Sequence, residues 1–80
     1  MQTNQTNNQS SCTPPLLYTM PEVAQILHTN IGYAHDLRKA GLLHCMKLGS
    51  YKVRRSELIR FLKDCEGKDV SDPYNVRDIQ

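Results

Sequence analysis

The chain predicts a mainly α fold carrying one small β-hairpin. Two short amphipathic segments are separated by a brief polar break, and a Gly49-Ser50 pair lies between two stretches of strand character. A third apolar stripe at helical spacing follows them. With 80 residues the chain makes one small domain, burying roughly 60% of the surface its unfolded form exposes. The expected organisation is a disordered polar arm over 1–15, a folded domain over 16–66 and an acidic flexible tail over 67–80.

The arm contains no charge and is mostly Asn, Gln, Ser and Thr, closing on Thr13-Pro14-Pro15. So little apolar surface does not offset the entropy of ordering, which predicts disorder. It lacks a basic n-region and an apolar core, so it does not read as a secretory signal. No stretch approaches the ~20 apolar residues of a membrane span.

The first helix is predicted to open at Thr19. Thr19 caps, Glu22 stands three residues on as in a capping box, and Pro21 falls in the first turn. Met20, Val23, Ala24 and Leu27 then form its core face. His28-Thr29-Asn30 breaks the pattern, and Asn30 caps a second helix running from Ile31 to Ala40. Ala34 and Leu37 point inward there, leaving Ile31, Tyr33, His35, Asp36, Arg38 and Lys39 on the outer faces. Gly32 in the first turn reads either as close approach to a nucleic-acid backbone or as tolerated fraying. Gly41 is the expected stop.

The hairpin is predicted over Leu43–Arg54, with Gly49-Ser50 as a two-residue turn of the Gly-first kind. Tyr51 and Val53 share one face of the second strand, and Lys52 and Arg54 share the other. Ser56-Glu57 opens the last helix, whose inward stripe is Leu58, Phe61 and Leu62, and Gly67 ends it. Asp72-Pro73 marks a turn in the tail, followed by Tyr74, Val76 and Ile79.

Charge divides unevenly along this frame. From Leu16 to Lys63 eight basic residues stand against Glu22, Asp36 and Glu57, a balance of +5. From Asp64 onward Lys68 and Arg77 stand against five acidic residues, a balance of −3. A basic hairpin directly behind an outward-facing second helix is the arrangement expected of a nucleic-acid surface. The three cysteines, Cys12, Cys45 and Cys65, are odd in number and widely spaced, which predicts reduced thiols rather than a disulfide frame. With His28, His35 and His44 they fit no structural zinc spacing, so neither metal nor cofactor is expected. A phosphate loop, a paired-carboxylate cleft and a nucleophile-base spacing are all missing, so no enzyme and no small-molecule substrate is expected.

Leu17-Tyr18-Thr19-Met20-Pro21-Glu22-Val23-Ala24-Gln25-Ile26-Leu27 resembles the opening helix of the excisionase-type small winged helix-turn-helix proteins, related to the DNA-binding domain of MerR-like regulators. The likeness continues through Leu37–Leu43 and Lys47–Val53, and closes with Ser56–Leu62. Where that family usually has Gly and a small apolar residue between the first two helices, this chain has His28 and Thr29. The resemblance implies a winged helix-turn-helix with its second helix in the major groove and a basic wing on the backbone. It implies Asn30, Gly32, Tyr33, Asp36, Arg38 and Lys39 as the recognition-helix contacts. Lys47, Ser50, Lys52, Arg54 and Arg55 would be the wing contacts, holding phosphates more than reading bases.

By the same resemblance the partner is double-stranded DNA, in the bacterial cytoplasm at the nucleoid. The role is that of a recombination directionality factor of a phage or mobile element, touching a recombinase or integrase through its tail. A transcriptional repressor of the same fold, touching the transcription machinery, is the alternative, and a protein–protein adaptor the third.

Overall fold

The computed structural model describes residues 15–79, so the expected arm, apart from Pro15, lies outside the described residues. A short strand β1 (Leu17–Thr19) leads into α1 (Met20–Ile26) and α2 (Ile31–Lys39). A hairpin of β2 (Met46–Leu48) and β3 (Ser50–Arg54) follows, then α3 (Arg55–Cys65). Two-residue strands β4 (Lys68–Asp69) and β5 (Arg77–Asp78) close the described chain.

Helix α1 starts on the predicted capping box. Thr19 Oγ1 accepts from the Glu22 amide at 3.3 Å, and Glu22 Oε1 accepts from the Thr19 amide at 2.7 Å. Both α1 and α2 end in the same six-residue closure. At the end of α2, Gly41 N–H donates to Arg38 O and Leu42 N–H to Leu37 O, with Gly41 at φ +80. At the end of α1, His28 N–H donates to Gln25 O and Thr29 N–H to Ala24 O. Here the left-handed position is held by His28 at φ 58, where a side chain normally favours glycine. That closure makes the tight turn between the two helices.

The structure adds a third strand to the expected hairpin. Leu17–Thr19 pairs antiparallel with β3, so the sheet order is β1-β3-β2 with β3 in the centre. Its two sides are therefore covered by backbone partners, and Val53 is fully buried. Three residues ahead of a cap carry no alternation long enough to read as a strand, and the pairing spans more than thirty residues of chain.

The hairpin register also departs from expectation. A two-residue Gly49-Ser50 turn would pair Leu48 with Tyr51, whereas the strands pair Lys47 with Tyr51 and Leu48 with Ser50 around Gly49 at φ +79. The one-residue difference removes Lys47 from a position opposite Lys52, where like charges repel, and sets it opposite an aromatic ring instead.

Met20, Val23, Ala24, Ala34, Leu37, Leu43, Val53, Leu58 and Phe61 make the core. Leu62, expected in the inward stripe, is 47% exposed. The stripe is completed one turn beyond Phe61 by the half-buried Cys65, four residues on. After Gly67 the structure adds organisation to the tail: β4 pairs with β5, Pro73 is buried and Val70 packs on the core. No helix among the described residues is long and apolar enough to cross a membrane.

Candidate nucleic-acid interface

Helix α2 buries Ala34 and Leu37 and leaves Ile31, Gly32 and Lys39 exposed. Gly32 and Lys39, seven residues apart, lie on the same exposed stripe, with Ile31 46% exposed beside them. Asn30 caps the helix through Oδ1, which accepts from the Tyr33 amide at 2.7 Å. A Cβ on residue 32 would stand 3.2 Å from that same Oδ1. Glycine at this position therefore gives the cap its clearance, a local reason beyond the two sequence readings.

The flanks of α2 are covered by different neighbours. On one side lies the wing. The Arg38 guanidinium sits 3.9 Å from the centroid of the Tyr51 ring, and the Lys47 ammonium 5.2 Å from the same centroid. His35 meets that ring edge-on at 6.0 Å, and its Nδ1 accepts from Arg38 Nε at 3.2 Å. Between α2 and the hairpin turn runs a groove of about 240 Å³ whose wall includes Ile31, His35, Ser50 and Tyr51.

The other flank carries the tail. Tyr33 was expected to face a base or phosphate; it is half-buried, and its hydroxyl donates to the Val70 carbonyl. Loss of hydration, then the nearby Cys65 and Asp69, push the Tyr33 phenol above its ordinary pKa. Asp36, expected as a DNA contact, stands beside Tyr74, and partial loss of hydration followed by the Asp36 charge raises the Tyr74 phenol.

The expected wing residues divide between two faces of the sheet. Lys47 lies with Tyr51 on the side that meets α2, whereas Lys52 and Arg54 alternate onto the opposite side. Lys52 folds back on its own turn, its Nζ donating to Ser50 Oγ at 2.8 Å and to Leu48 O at 3.2 Å. Arg55 is the first residue of α3, and its amide donates to Leu16 O at 2.9 Å. Arg54 and Arg55 line a second groove with Leu16, Leu17, Met46 and Ser56. The structure thus brings Arg38 and Lys47 together and holds Lys52, Arg54 and Arg55 apart from them. His35 and Tyr51 complete the first group, and Val70 and Tyr74 the tail contact. None of these four was among the expected contacts, and only the register of Lys47 against Tyr51 would have pointed to one of them.

An ionic network ties α3 to the loop after α2. Arg60 Nε donates to Glu57 Oε1 at 2.8 Å, Arg60 Nη1 to Asp64 and Arg60 Nη2 to Leu42 O at 3.0 Å. The His44 amide donates to Glu57 Oε2 at 2.9 Å. The Arg60 hydrogen bonds, with that amide assisting, hold the Glu57 carboxyl down to about 2 against its own loss of hydration.

Two helices joined by a left-handed closure, backed by a three-stranded sheet with a basic hairpin, define a helix-turn-helix module. The comparison with protein families agrees: residues 17–66 match the family described as Helix-turn-helix domain, and the chain belongs to it. No curated protein and no solved structure matches the chain. Membership in this family points to DNA as the partner.

Proposed function

We propose that the protein binds duplex DNA with α2 in the major groove and the β2–β3 hairpin as a wing on the sugar-phosphate backbone. The observation that carries this reading is the exposed stripe of α2 with a basic wing packed along its flank through Arg38, Lys47 and Tyr51. Its role is that of an excisionase-type factor, directing recombination of a phage or mobile element. Supporting that role are the element order and a tail whose Tyr74 and Ile79 are more than half exposed and thus open to a recombinase. A promoter-bound regulator uses the same surface. Footprinting on the DNA flanking its own coding region separates the two: protected tandem repeats at an attachment site mark the first, a protected promoter the second.

Affinity for random duplex DNA, measured by anisotropy across a salt series, tests binding itself. Neutralising four or five phosphates gives a log–log salt slope of about −4. Lys39→Ala with Lys47→Ala, on the exposed stripe of α2 and on the side of the wing that meets it, is expected to weaken all sequences alike and to flatten that slope by about 2. A slope near zero in the wild type, or no binding at low salt, would remove the DNA reading and leave the adaptor.

A further inference from the structure

Arg38 and Lys47 come from different elements, yet both converge on the ring of Tyr51, at 3.9 and 5.2 Å from its centroid. Neither is in an ion pair among the described residues, where the pairs are His44–Glu57, Arg60–Glu57, Arg60–Asp64 and Arg77–Asp69. Two cations held against one ring, with no carboxylate paired to either, repel each other, and an anion bound by both relieves that repulsion. The Arg38 side chain is also fixed at its stem side. Its Nε is spent on His35 Nδ1 and its guanidinium carbon lies over the Tyr51 ring, which leaves the terminal nitrogens as the donors for a ligand.

We propose that Arg38 and Lys47 form one preorganised site for a DNA phosphate at the seam between α2 and the wing, with Tyr51 as its positioning residue. This rests on the DNA-binding reading and deepens it. The helix and the wing would grip the same phosphate together, so that docking the wing sets the register of α2 in the groove. The site depends on the hairpin register: pairing Leu48 with Tyr51 would turn Lys47 to the opposite face and leave Arg38 alone.

The test compares Tyr51→Leu and Tyr51→Phe with the wild type on one duplex across a salt series. Tyr51→Leu removes no charge and keeps apolar volume against the core, so a ring that merely fills space predicts unchanged binding. The site predicts affinity about tenfold weaker and a salt slope shallower by about 1. Tyr51→Phe keeps the aromatic face and stays within about twofold of wild type. If Tyr51→Leu folds and binds with wild-type affinity and slope, the site is wrong.

Should Tyr51→Leu fail to fold, Arg38→Gln and Lys47→Gln decide singly and combined. A shared phosphate makes the combined loss smaller than the product of the single losses, whereas strictly multiplicative losses overturn it. Absence of wild-type binding would sink the DNA reading itself, a result distinct from wild-type binding that ignores the Tyr51 ring.

Discussion

His28 carries the clearest single-residue conflict in the molecule. It closes α1 at φ 58 and is exposed, so nothing visible compensates the steric cost of a Cβ in the left-handed region. Gly41 fills the same place at the end of α2 with no Cβ to accommodate. His28→Gly is expected to stabilise the fold by about 1 kcal/mol, the relieved strain exceeding the added freedom of the unfolded chain. In a domain of this size that raises the thermal midpoint by about 4–8 °C, which calorimetry resolves. An unchanged or lower midpoint would mean that the imidazole makes a compensating contact. The conflict was half visible beforehand: the family's usual glycine at this turn marks where a left-handed residue belongs, but only the backbone shows that His28 adopts it.

Helix α3 is held by its first-turn carboxylate more than by a cap, since Arg54 offers it no side-chain cap bond. Glu57 instead accepts from Arg60 and from the His44 amide, joining α3 to the loop that leads into β2. The Glu57 side chain is 14% exposed, and its carboxyl is lowered from 4.5 to about 2. A depressed folded value contributes stability above the unfolded value, and that stability is lost as pH falls from about 4.5 to about 2. Urea unfolding of the wild type should weaken across that window, and Glu57→Gln should be less stable at pH 7 and flatter below pH 4.5. Parallel acid profiles for the two would remove Glu57 as the source. At this scale the sequence was legible where contacts are local. The capping box of α1, the Asn30 cap, the Gly41 stop and the helical stripes all follow from neighbours within four residues. What it did not disclose is long-range or register-dependent: β1 on β3, Lys47 opposite Tyr51, and Arg60 reaching back to Leu42. Each is decided by packing of distant segments, to which local patterns are blind.

Across the whole molecule, α2 lies between a basic wing on one flank and the tail on the other. The tail's acidity is partly consumed within the fold, since Asp69 pairs with Arg77 at 3.8 Å. Residues 68–80 contain only Lys68 and Arg77 as cations; Lys68 lies by Leu42 and Arg60, and Arg77 by Asp69. Their structural contribution is apolar and hydrogen-bonded: Val70 on the core, Pro73 buried, and Val70 O accepting from Tyr33. A chain ending at Gly67 is therefore expected to lose stability while keeping the phosphate-contacting surface intact. The lost Tyr33 hydrogen bond alone costs about 1 kcal/mol, and the uncovered Val70 side adds to it. Its thermal midpoint should fall, and binding measured well below that midpoint should retain the wild-type salt slope, because the slope counts phosphates neutralised and the tail neutralises none. A slope shallower by 1 or 2 would place Lys68 or Arg77 on the DNA and make the tail a second wing. An unchanged midpoint would show instead that the Tyr33–Val70 contact contributes nothing to the fold.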